Sequence, residues 1–142
     1  MPDPYDLQRF VTAQDPVLPQ VRAELAAGAK ASHWMWFVFP QLRALGRSAT
    51  AQYYGLASRA EALAYWRHPQ LGTRLKDCTA LVLGVEERTA QQIFGGIDAL
   101  KFRSCMTLFA AVAPEEPVFG QALQKYFGGV ADPKTLELLG ES

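Results

Sequence analysis

Ser32-His33-Trp34-Met35-Trp36-Phe37-Val38-Phe39-Pro40-Gln41 is the stretch on which the fold turns. It has no polar alternation, so it cannot be a strand with one wet face. An unbroken apolar run of this length reads as a buried strand or as a helix buried on all sides. Ser32 is suited to cap a helix, and Pro40 ends whichever element forms. Helical signals lie on both sides of the run and no other convincing strand is present. The pattern therefore predicts a buried helix within 32–40.

Working outward toward the N-terminus, Val21 and Leu25 share one face of a helix over 17–27, and Gly28 stands where a left-handed stop belongs. Before it, Leu7, Phe10 and Val11 mark a short helix over 6–14 that Asp15-Pro16 breaks. Toward the C-terminus, Ser48 caps a helix through Tyr54. Ser58-Arg59-Ala60-Glu61 has the S-x-x-E form of a capping box and opens a helix with Leu63, Tyr65 and Trp66, stopping near His68-Pro69. Leu71, Leu75, Thr79 and Val82 repeat along 71–83, ended by Gly84. Thr89 starts a short helix to Phe94, closed by Gly95-Gly96.

Asp98 is read as the cap of the longest helix, 99–112, whose apolar stripe is Phe102, Cys105, Met106, Phe109 and Val112. Pro114 terminates it. Pro117 begins the next, which stops at Gly128-Gly129, and Asp132-Pro133 opens a last helix to Leu139. Connections are short and no repeat is present. The expectation is one all-α, orthogonal multi-helical domain over 1–142, with about eight or nine short helices. Its core spans about 6–140, and residues 1–5 form a loose N-terminal tail.

Composition agrees. The 142 residues suit one domain; 49% are apolar and 20% charged, which excludes a disordered chain. No apolar run approaches the roughly 20 residues of a membrane span. Met1 to Asp6 is acidic and polar, unlike a signal peptide, so the default location is the cytoplasm and no membrane partner is expected. The net charge is zero, so general nucleic-acid binding is not expected either. Yet Arg22 to Lys76 holds eight basic residues against two acids, a net +6, and eight of the sixteen aromatics. Such a segment suits an anionic, ring-bearing ligand. The alternative is that its charges face solvent and its rings fill the core.

Standard catalytic and phosphate-loop signatures are absent. Cys78 and Cys105 stand 27 apart without a CxxC, and His33 and His68 lack metal-ligand spacing, so no metal site is expected; the cysteines form either one disulfide or two free thiols, and a cytoplasmic context favours the thiols. Lys101 and Ser104 share a face of the longest helix, either as a cation and hydroxyl on a pocket wall or as a snorkelling lysine beside a packed serine. His33 is a general-base candidate or a hydrogen-bonded histidine at a helix start. Trp34 and Trp36 point to different sides of a helix, leaving one accessible. Gln41 can read a base edge or cap the preceding helix. His68, at a helix end, is explained by the macrodipole.

Several segments together resemble one family. They are His33-Trp34-Met35-Trp36-Phe37-Val38-Phe39-Pro40-Gln41, Leu45-Gly46-Arg47-Ser48, His68-Pro69-Gln70-Leu71-Gly72-Thr73-Arg74-Leu75, Ile93-Phe94-Gly95, Asp98, Leu100-Lys101 and Ser104-Cys105-Met106-Thr107-Leu108-Phe109. The chain resembles the bacterial and fungal family numbered 1810 among domains of unknown function, from Asp6 to Gly140. The resemblance implies a mainly helical single domain and no established activity. Family members are sometimes named calpastatin automatically, but that inhibitor is a long disordered chain, unlike this compact, aromatic-rich one. Leu18 stands where the family usually has Tyr, and Cys105 where it commonly has Ser, which marks position 105 as a packing site.

The functional expectation is a pocket for a small anionic, ring-bearing ligand such as a nucleotide-like metabolite, with hydrolase or transferase activity open and no cofactor expected. His33, Trp34, Trp36 and Gln41 would supply stacking and polar contacts. Arg47, Arg74 and Lys101 would hold the anion, and Ser104 would add a hydroxyl. The alternative is a non-catalytic helical interaction module gripping a protein partner, as yet unknown, with the same aromatic surface.

Overall fold

The computed structural model describes residues 3–140, and among them ten α-helices follow one another with no strand. They are α1 Gln8–Gln14, α2 Leu18–Ala27, α3 Met35–Val38, α4 Ala49–Tyr54, α5 Arg59–Arg67, α6 Leu71–Leu83, α7 Ala90–Phe94, α8 Gly96–Val112, α9 Val118–Phe127 and α10 Pro133–Leu139. A 3-10 turn, Arg43–Leu45, precedes α4, and a lone parallel bridge pairs Leu42 with Leu56. The fold is thus the expected all-α domain, with more helices than the eight or nine foreseen.

Helix α8 is the axis, packing against α5, α7, α9 and α10. Its Phe102, Cys105, Met106, Leu108 and Phe109 are fully buried, so the middle of the helix is covered well beyond the stripe read from sequence. Phe94 stacks on Phe102 at 4.7 Å, and Phe39 meets both rings edge-on, at 6.0 and 5.1 Å. Each such ring stabilises the core by roughly 1.5–3 kcal/mol through burial.

The 32–40 run departs from expectation. Only one turn, α3, is helical. At its start Ser32 does not cap, because Glu24 from α2 takes the amides of Ala31 and Ser32 and the Ser32 hydroxyl. At its end Phe39, preceding Pro40, leaves the helical region at φ −123, ψ 72. The run is buried core, but tertiary hydrogen bonds hold it instead of a helical ladder.

Three further details differ. Asp98 does not cap α8; Gly95 occupies that position and Asp98 lies in the first turn. Ser58 caps α5 through the Glu61 amide, but the Glu61 carboxylate reaches Arg9 and the Ala57 amide instead of completing the box. The full capping box belongs to Thr89 and Gln92 on α7. Of the expected N-terminal tail, Met1 and Pro2 lie outside the described residues. Asp3 is tied down, its carboxylate accepting the Leu7 and Gln8 amides at 2.8 and 2.9 Å. No helix among the described residues is long and apolar enough to cross a membrane.

Candidate functional site

Two segments far apart in sequence form the walls of one open cleft of about 480 Å³. One wall is the loop from Lys30 to Trp36. The other is the junction between α7 and α8, Phe94 to Lys101.

The first wall is positioned by Glu24. Its carboxylate accepts hydrogen bonds from the Ala31 and Ser32 amides, the Ser32 hydroxyl, the Gln20 amide and the Trp34 indole N–H, the last at 2.9 Å. Burial alone would raise this carboxyl, but those donors outweigh it and hold it at about 2. The Lys30 amide donates to the Ile93 carbonyl at 2.8 Å, joining the loop to α7.

The second wall is a helix start bared by glycine. Gly95 sits at φ +86, ψ 163, a region that essentially only glycine occupies, with open space where a side chain would be. The first-turn amides of α8 follow it, presenting the positive end of a 17-residue helix toward the cleft.

Between the walls, Asp98 is shared by two lysines. Lys30 Nζ lies 2.8 Å from its carboxylate and Lys101 Nζ 3.4 Å. Lys30 also donates to the Ser32 carbonyl at 2.6 Å and lies 5.0 Å from the Trp34 ring centre. Lys101 stands 3.4 Å above the Trp36 ring. Two ammonium groups and a helix N-terminus against one carboxylate leave the hollow net positive. Behind Trp36 and Lys101 is a recess of about 10 Å³, bordered by Gln41, Tyr54 and Gly55, with room for about one water. Burial pushes the Tyr54 phenol above its ordinary range, so it is a neutral hydroxyl there.

The residues singled out from sequence divide into two groups. His33, Trp36 and Lys101 line the cleft, and Gln41 joins Trp36 and Lys101 at the recess. Trp34 is 1% exposed and packs as core behind the wall, so it offers a ligand no stacking face. Arg74 is held by Asp15 at 2.7 Å and by Gln14, at the end of α1. Arg47 is exposed before α4 and does not line the cleft. The Ser104 hydroxyl shares its one proton between the Leu100 carbonyl and the carboxylate of Asp132, the cap of α10, and so is separated from Lys101 in its bonding. In sequence Lys30 is marked only by its charge and Asp98 reads as a cap, while Gly95, the expected stop of α7, is also the N-cap of α8. The i,i+3 spacing of Asp98 and Lys101 was the available signal for the second wall.

His68 is the C-cap of α5, the helix end expected of it, and its Nδ1 also accepts the amides of Gln70 and Leu71 where the chain turns into α6. Cys78 and Cys105 are free and buried, and burial pushes the first thiol to about 11 and the second well above its ordinary value. Among the described residues no group of three His, Cys, Asp or Glu side chains could hold a metal. A larger groove of about 590 Å³ between α2 and α6, near Ala26 and Leu81, is mostly apolar; its charged pair, Arg22 and Asp77, is exposed and 4.0 Å apart. Convergent polar groups, more than size, mark a small-molecule site, and those are in the first cleft.

A family model described as "Protein of unknown function (DUF1810)" matches residues 4–139. The crystal structure of the conserved hypothetical protein Rv1873 from Mycobacterium tuberculosis is similar at 51% identity and a TM-score of 0.96, covering 99% of this chain and 100% of that one. No curated protein matches the chain.

Proposed function

The chain belongs to the DUF1810 family of proteins of unknown function, and from that premise we propose that its cleft binds a small anionic ligand bearing an aromatic ring, a nucleotide-like metabolite. One observation carries the proposal: Lys30, Lys101, His33, the glycine-bared start of α8 and the Trp36 ring all border the same hollow. Ammonium groups and helix amides supply an anion site, and an indole supplies a stacking face. Were a hydrolase or transferase step to accompany binding, His33, exposed at the mouth, is the group at hand for proton transfer.

A second reading has an observation of its own. Ile97, which borders the cleft, and Leu100, one turn further along α8, are 74% and 64% exposed. An apolar ledge beside an aromatic cleft also suits a non-catalytic module that grips a protein partner.

A thermal-shift screen against nucleotides, dinucleotides and sugar phosphates separates the two. A ligand at 100 times its Kd stabilises the fold by about 2.7 kcal/mol, a rise of about 5–10 °C for a domain of this size. The expected result is a hit that Lys101→Ala reduces. A flat panel overturns the small-ligand proposal and turns attention to a protein partner, while a hit that Lys101→Ala leaves untouched removes the anion-binding role of Lys101.

A further inference from the structure

Lys101 stands where a ligand ring would have to lie. Its ammonium covers the face of Trp36 at 3.4 Å from the ring centre, so the stacking surface of the cleft is already taken by a cation. Trp36, Lys101 and the buried Met35 border both the open cleft and the small recess beside Gln41 and Tyr54, and Lys101 is the flexible member of that partition.

The two lysines of the cleft are held differently. Lys30 has a carboxylate at 2.8 Å, a carbonyl at 2.6 Å and only 8% of its side chain exposed. It is fixed. Lys101 has the Trp36 face and one carboxylate contact at 3.4 Å, and its side chain is 17% exposed. A lysine is a point charge on a flexible four-carbon stem, so it can leave a ring face when a better partner arrives. A phosphate is such a partner, because a charge-assisted hydrogen bond is stronger than a cation–π contact at a partly wet site.

Resting on the anion-and-ring reading of the cleft, we propose that Lys101 is a latch which the ligand itself opens. The ligand's ring takes the Trp36 face, and the displaced ammonium turns to the ligand's anion. The partition then opens, and the Gln41 amide at the recess can meet the polar edge of the ring. A ring alone must expel the ammonium and gives it no new partner. An anion alone draws the ammonium away and leaves the indole uncovered. The class selected is therefore a molecule with a heteroaromatic ring and a phosphate joined by a short linker, as in a nucleoside monophosphate, over either half by itself.

Calorimetric titrations test this with the 5′-monophosphates of adenosine, guanosine, cytidine and uridine, the four parent nucleosides, and inorganic phosphate. In the wild type, at least one monophosphate should bind about 100-fold tighter than its nucleoside or than phosphate. In Lys101→Ala that monophosphate should weaken by roughly 10-fold or more, while its nucleoside binds several-fold tighter because the ring face is free. Lys101→Gln, which keeps most of the chain but removes the charge, should shift both affinities in the same directions, and circular dichroism verifies that each variant is folded. If the monophosphate weakens but nucleoside binding is unchanged or weaker, the latch is wrong and the cleft remains an anion-and-ring site. If no probe binds the wild type, the reading of the cleft falls and the latch falls with it.

Discussion

Glu24 carries more of the local architecture than any residue its neighbourhood in sequence would suggest. Its five hydrogen bonds reach residues 4 to 10 positions away and fix the loop that presents Lys30 and His33. Apart from Gln20 one turn earlier on α2, no spacing announces it, because its other donors are two loop amides, a hydroxyl and an indole rather than a charged partner. Trp34 was read as a ligand contact for the same reason: an indole in an apolar run gives no hint that its N–H is claimed from α2. The carboxyl is held at about 2 against an ordinary 4.5, so the stability it contributes is fully present above pH 4.5 and is lost as pH falls toward 2. Glu24→Gln should cost on the order of 2–4 kcal/mol near neutrality, since several charge-assisted bonds weaken together. In melts across this pH range, the gap between wild type and variant should be widest above pH 4.5 and close toward pH 2. A gap independent of pH would show that the carboxylate charge is not what holds the loop.

At the scale of elements, the junction of α7 and α8 is the part that sequence described least well. A Gly-Gly pair after a short helix reads as a stop, and Gly95 is one for α7. It is also the start of α8, because its φ of +86 redirects the chain within one residue and lets Gly96 enter the next helix at once. The two glycines should therefore respond differently to a methyl group. Gly95→Ala meets no atom within 4 Å, so its cost is backbone strain alone, about 1–3 kcal/mol. Gly96→Ala has an ordinary helical backbone and a nearest neighbour at 3.6 Å, so it should be neutral or slightly stabilising. Thermal melts of the two variants decide this; equal losses would mean that the junction is not governed by the left-handed residue. Elsewhere local chemistry was legible. Ser48, Asp132 and Gly28 act as the caps and stop that their positions suggested, since capping depends on a few adjacent residues. The Glu61 half of the expected box was not, because Arg9, 52 positions away, claims its carboxylate at 2.8 Å.

For the whole molecule, the all-α class was legible because helical spacing and stops recur along the chain. The charge asymmetry was the weaker guide. The net +6 of the basic middle segment is halved on folding by acids outside it: Lys30 pairs with Asp98, Arg74 with Asp15 and Lys76 with Glu116. Of its eight basic residues, Lys30 reaches the cleft, while Arg47 and Arg74, singled out by charge, do not line it. Long-range pairing of this kind leaves no trace in spacing. Cys105 is fully buried on α8, as a packing position would be.

The central claim is that an anion bearing a ring binds between the Lys30–Trp36 loop and the start of α8. Amide chemical-shift mapping of isotope-labelled protein, titrated with the nucleoside monophosphate that gives the largest thermal shift, tests it most directly. The largest changes should fall on the amides of Gly95, Gly96, Ile97 and Asp98 and on the Trp36 indole, with the Arg22–Leu81 groove silent. Changes concentrated in that groove, or absent from the start of α8, would contradict the account.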